Sequence, residues 1–178
     1  MSVDRELPSS SRGARVVVVG EVNPYGADPS LALYPLPRKA SGNRLRNFMG
    51  LTDAEYLRLL RRVNLCQSTW SGEKASVAAA SLVGKLRRWG GAVVVLLGGR
   101  VARAFRRIAL PGVFESVTVG DVALVRLPHP SGLCRLWNQP GAVDRARAVL
   151  RREAPWVPWG GGESSGSGDP VLRERSCL

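Results

Sequence analysis

Histidine is almost missing from this 178-residue chain, with His129 its single representative. Cysteine is scarce too. Cys66, Cys134 and Cys177 form no CxxC pair and cannot all pair with one another, so reduced thiols are expected rather than a disulfide framework or a cysteine-only metal site. No run reaches the ~18 uninterrupted apolar residues of a membrane span. The opening segment MSVDRELPSSSRGAR has no apolar core of the signal-peptide kind, so a cytoplasmic protein without a membrane partner is expected. A GxxxxGK[ST] phosphate loop is absent, and no glycine-rich loop opens a helix after the first strand, which disfavours a generic nucleotide-binding enzyme. There is no internal repeat. Acidic residues are also in short supply, 14 against 26 basic ones, giving a net charge of +12. The basic residues are nearly all arginine, whose planar fork suits bidentate phosphate contacts, and nucleic acid is the natural partner of such a chain. Arginine, alanine and glycine rise together, so codon bias in a GC-rich genome accounts for part of that charge.

What is present is organised around residues 15–26, RVVVVGEVNPYG. Four consecutive valines are too short a run for a helix and fit a strand buried on both faces, as in a parallel sheet. A polar turn follows, in which Gly20, Pro24 and Gly26 constrain the backbone and set the directions of Glu21, Asn23 and Tyr25. Ligands of open α/β sheets bind beyond the carboxyl ends of the strands, so this turn is the first candidate site.

Residues 1–13 read as a mobile lead-in, 14–159 as one domain and 160–178 as a disordered tail rich in glycine and serine. Within the domain, residues 27–41 carry three prolines and are expected to form an ordered loop without regular structure. A short helix opens at Ser41 and closes at Gly50, and Thr52-Asp53-Ala54-Glu55 is a capping box for a helix through Leu60. Strands are expected at 62–66 and 92–97, separated by a helix over 76–89. A further helix starts at Gly98-Gly99, runs through Ile108 and ends at Pro111-Gly112. Residues 115–119 and 122–127 read as a hairpin that runs into Pro128-His129-Pro130-Ser131-Gly132-Leu133, the second candidate site. The final helix spans 142–152, with a basic outer face. Parallel alignment of the strands would bring Glu21, Asn23 and Tyr25, then Asn64, then His129 and Ser131, to one sheet edge.

The pair GEVNPYG and HPSGL resembles the two signature motifs of the uracil-DNA glycosylase superfamily. Three further segments are similar in order and spacing: Tyr34-Pro35 with Ser41-Gly42-Asn43-Arg44-Leu45, Val63-Asn64-Leu65-Cys66, and Leu96-Leu97-Gly98-Gly99-Arg100-Val101-Ala102. The resemblance covers residues 15 to about 153. It implies a three-layer α/β/α sandwich around a mostly parallel four-stranded sheet. It also implies a monomeric, monofunctional enzyme that hydrolyses the N-glycosidic bond of a flipped uracil or modified pyrimidine in DNA, in base excision repair or in defence against modified phage DNA. By the same resemblance His129 donates to the base carbonyl and Asn23 or Glu21 positions the water. Asn64 reads the base edge and Tyr25 or Tyr34 stacks on the base. Leu133 wedges into the duplex, and Ser131, Arg135, Ser41 and Arg44 line the DNA contact. Relatives with GEAPG hold an iron–sulfur cluster on four cysteines. Three cysteines cannot supply it, so no cluster, metal or other cofactor is expected. Because the first motif has no clear aspartate, a module that binds a flipped or modified base without cutting is the alternative.

Overall fold

The computed structural model describes residues 15–23, 28–88 and 90–160. The expected lead-in, Tyr25, and the tail beyond Gly160 lie outside the described residues. Five strands form one sheet in the order β2-β1-β3-β5-β4, with β1 at Arg15–Gly20, β2 at Leu60–Asn64, β3 at Ala92–Leu97, β4 at Glu115–Val119 and β5 at Val122–Leu127. The pairs β1/β2, β1/β3 and β3/β5 are parallel, and β4 runs antiparallel along the outer side of β5. This corrects the four-stranded expectation. The first arm of the hairpin stays in register with the second from Glu115 opposite Arg126 to Val119 opposite Val122, so it extends the sheet as an antiparallel edge strand.

β1 and β3 are apolar on both faces because helices cover both. Val16 and Val18 point into a core with Leu45, Met49, Tyr56, Val149 and Leu150, from α1 (Ser41–Met49), α2 (Asp53–Leu59) and α5 (Ala142–Glu153). Val17 and Val19 point into a second core with Ala79, Val83, Leu86, Val101 and Phe105, from α3 (Gly72–Arg88) and the region of α4 (Gly98–Ala104). The chain is therefore α/β with a mostly parallel sheet, an arrangement compatible with a three-layer sandwich. No helix among the described residues is long and apolar enough to cross a membrane.

Several boundaries differ from the sequence expectation, each for a local reason. The capping box at Thr52 and Glu55 forms as expected, but Leu60 is already extended, so α2 passes straight into β2 two residues early. α3 starts at Gly72 because Ser71 accepts the first amides, from Lys74 at its hydroxyl and Ala75 at its carbonyl. α4 stops at Ala104 because Phe105, Arg106 and Ile108 donate to acceptors three residues back, which tightens the helix into turns. The proline-rich loop contains a 3-10 turn at Pro29–Leu31, capped by the Asp28 carboxylate, which accepts from the Ser30 amide at 2.9 Å.

Arginines tie the loops to this frame. The Arg62 guanidinium donates to the Ala32 carbonyl, Arg147 to the Phe48 carbonyl at 3.0 Å, and Arg151 to the Trp159 carbonyl at 3.1 Å. Arg46 pairs with Asp53 at 2.9 Å.

Candidate functional site

The chain leaves β1 to one side, toward β2, and leaves β3 to the other, toward β5. The sheet thus reverses its winding between β1 and β3, and in such sheets that point opens a crevice beyond the carboxyl ends of the strands. Register places the ends of all four parallel strands on this edge, with Gly20 opposite Asn64, Val19 opposite Leu96, and Leu97 opposite Leu127. An ion pair spans the crevice. Arg100, in the first turn of α4, meets Glu21, just past β1, at 3.4 Å. Glu21 is therefore held by a partner that a reading of the first motif alone does not foresee.

His129 stands at the far wall, two residues beyond β5. Its Nδ1 accepts the Ser131 backbone N–H at 3.2 Å, so the proton of the neutral ring sits on Nε2. Burial holds its pKa below the usual histidine value, and the Glu21 carboxylate opposes that shift without overcoming it. The ring is braced from two sides. The Trp137 indole N–H donates to the His129 carbonyl at 3.0 Å, and Trp137 stacks on Phe48 of α1 with ring centres 4.2 Å apart. On the other side is Gly98, in left-handed conformation (φ +85°), where a Cβ would come within 2.9 Å of the His129 Cβ. Only glycine meets both demands there.

Asn64 ends β2 with its Oδ1 buried and, among the described residues, without a hydrogen-bond partner. It lies directly over Gly20, where a Cβ would collide with that oxygen and come within 3.3 Å of the δ-methyls of Leu33. A buried acceptor left unpaired costs about 1 to 3 kcal/mol, so such atoms mark positions that a ligand donor could satisfy. Leu33 has φ +49°, unusual for a branched residue. The Tyr56 hydroxyl holds it there by donating to the Leu33 carbonyl at 3.0 Å, and Gly42 leaves room for it, since any Cβ there would collide with the Leu33 and Tyr34 carbonyls. Burial pushes the Tyr56 phenol pKa upward, so it remains a donor. No protein-family model and no curated protein matches this chain.

The remaining expected residues divide. Asn23 is 6% exposed, and its amide donates to the Asp28 carbonyl at 3.0 Å. Tyr34 lies under the Arg62 guanidinium, 5.5 Å from ring centre to carbon. Ser41 opens α1, and Arg44, one turn on, reaches the second motif, since a Cβ on Gly132 would lie 3.2 Å from its Nη1. The Ser131 carbonyl accepts from the Cys134 amide at 3.1 Å, and this tight turn throws Leu133 outward with 93% of its surface exposed. Arg135 is exposed at the start of a 3-10 turn over Arg135–Asn138. Sequence reasoning missed Arg100, Leu33 and Trp137. The proximity of Arg100 to Gly98-Gly99 was the one available signal; the other two depend on long-range packing. Among the described residues no cluster of three His, Cys, Asp or Glu side chains could hold a metal ion.

Proposed function

We propose that this chain is a monofunctional DNA glycosylase on a uracil-DNA glycosylase-like fold, hydrolysing the N-glycosidic bond of a flipped uracil or modified pyrimidine to leave an abasic site. The observation that carries the reading is the state of His129, a neutral imidazole whose Nδ1 is occupied by the Ser131 amide and whose Nε2 bears the proton. Cleavage pushes negative charge onto the departing base, and a fixed donor at its carbonyl oxygen lowers that barrier without a proton having to move first. The Oδ1 of Asn64, which has no partner among the described residues, supports the same reading, because a pyrimidine edge offers the N–H that this oxygen lacks. Glu21 is the better candidate for holding the water, since its charge is felt at His129, whereas the Asn23 amide donates to the Asp28 carbonyl. Tyr34 and Tyr25 remain the candidates for stacking on the base, and Leu133 for filling the gap it leaves. Among the described residues no lysine stands in either motif, so a Schiff-base lyase step has no nucleophile.

One observation favours a second reading, a non-catalytic modified-base-binding module. The Glu21 carboxylate is already engaged by Arg100 through its Oε2, an oxygen that a water would otherwise occupy. Labelled oligonucleotides bearing uracil, mismatched thymine, hydroxymethylated or glucosylated pyrimidines, treated with alkali after incubation, separate the two. Strand breaks at one modified position are expected. Binding without breaks on every substrate would overturn the enzymatic reading in favour of the module.

A further inference from the structure

Behind the Glu21–Arg100 pair lies a cleft of about 250 Å³ between the start of α3 and the outer face of α4. Arg100, Arg103 and Arg106 line it at three-residue spacing, together with Trp70 and Ser76. Its described walls carry no acidic side chain, and among the described residues Arg103 and Arg106 meet no carboxylate. These two cations therefore differ from Arg62, Arg147 and Arg151, which are held by backbone carbonyls. Trp70 packs against the core beneath α3 while also lining the cleft, so its ring is held in place before anything binds.

A fixed aromatic face beside unneutralised arginines is the chemistry that holds unpaired nucleotides: the ring stacks a base of any sequence and the guanidinium groups take the phosphates. We infer that this cleft binds an unpaired nucleotide of the DNA strand that flanks the extruded one. The strand passes from the crevice over Arg100 into the cleft, where a base stacks on Trp70 and the backbone phosphates lie on Arg103 and Arg106. A paired base is stacked within its duplex and cannot take that place. The cleft thus favours substrates that are single-stranded beside the target. This rests on the reading of the chain as a DNA-acting protein, but it does not need the glycosidic bond to be cut.

The test is equilibrium binding of the full chain to fluorescein-labelled, uracil-free oligothymidylate and to a uracil-free duplex of equal length, across a salt series. Trp70→Leu keeps an apolar side chain against the core and removes the stacking face. It is expected to weaken single-strand binding about tenfold or more and leave duplex binding within about twofold. Trp70→Phe should restore most of the loss. Arg103→Ser with Arg106→Ser, both at exposed positions, should lower the single-strand log-log salt slope by about 1.4, two phosphate contacts at ~0.7 each. Single-strand binding within twofold of wild type in Trp70→Leu, equal losses on both DNAs, or an unchanged salt slope would each overturn the inference. Uracil-free DNA keeps this outcome separate from the fate of the proposed reaction. If no base is ever excised, the binding differences still decide whether the cleft holds an unpaired strand.

Discussion

Gly98→Ala tests the bracing of His129 most directly. Gly98 has φ +85°, a region that costs a residue with a Cβ about 1 to 2 kcal/mol. For a chain of this size each kcal/mol lowers Tm by roughly 2 to 4 °C, so a drop of about 2 to 8 °C is expected. The new methyl would also meet the His129 Cβ at 2.9 Å. Carbon contacts settle at about 3.5 Å or more, so the imidazole must retreat by roughly half an ångström. A displacement of 1 Å can cost a hundredfold in rate, so about a tenfold loss of single-turnover abasic-site formation is expected beyond any loss from unfolding. Gly99 supplies the control, because a Cβ there meets nothing within 4 Å and its backbone needs no positive φ. Gly99→Ala should leave Tm and rate near wild type. Thermal melts and single-turnover assays at a temperature where every variant is folded make the comparison. If Gly98→Ala keeps the wild-type rate, or the two variants lose equally, the bracing argument is wrong.

Replacing His129 with Ala should lower turnover about a hundredfold while leaving DNA affinity nearly intact, because its contact strengthens only as charge develops; equal losses in the two would remove it from the chemistry. His129 also sets a pH window for stability. Its folded pKa lies below the ordinary 6.5, so its contribution is complete above 6.5 and is lost as pH falls from there through the lower folded value. Urea titrations at pH 7.5 and 5 should show this loss in wild type and a smaller one in His129→Gln, and an identical loss in both would place the titration elsewhere. Leu133→Ala should leave stability within about 0.5 kcal/mol, since the side chain is 93% exposed, yet slow base removal from duplex more than from single strands. An equal effect on both substrates would argue against a wedge. Asn64→Asp should change the ratio of rates on keto and amino pyrimidines, because it exchanges a donor for an acceptor; an unchanged ratio means that Asn64 does not read the base.

The elements that could be read from the sequence are those whose signal is local. The valine runs of β1 and β3, the Thr52–Glu55 capping box and the left-handed Gly50 at the end of α1 all depend on neighbours within a few residues. Alignment of Gly20 with Asn64 followed once both strands were taken as parallel. Glu21 and Arg100 are 79 residues apart, and no periodicity announces their pairing. Leu33 adopts its left-handed conformation with its carbonyl held by Tyr56 and with space left for it by Gly42, features of two other elements. The place of β4 was set by pairing along its whole length with β5, whereas its own pattern, half-buried or exposed at every position, named no side of the sheet. The candidate residues were named singly from the sequence, while their engagements with Arg100, Asp28 and Trp137 emerge only from the folded chain.

The arginines held by backbone carbonyls bear on how this sequence could drift between genomes. A host poor in GC would tend to exchange arginine codons for lysine codons. At Arg103 and Arg106 such a change keeps a cation on the surface and weakens only bidentate contact. At Arg151 two guanidinium nitrogens converge on the Trp159 carbonyl, and at Arg147 two reach separate carbonyls at the end of α1, fixed two-pronged arrangements that an ammonium on a flexible stem does not reproduce. Lysine at those positions would loosen the joint between α5 and the rest of its layer while leaving the net charge unchanged. Two descendants of equal charge could then differ in stability, and the arginine content of this chain is in part a set of clasps that composition alone counts as surface.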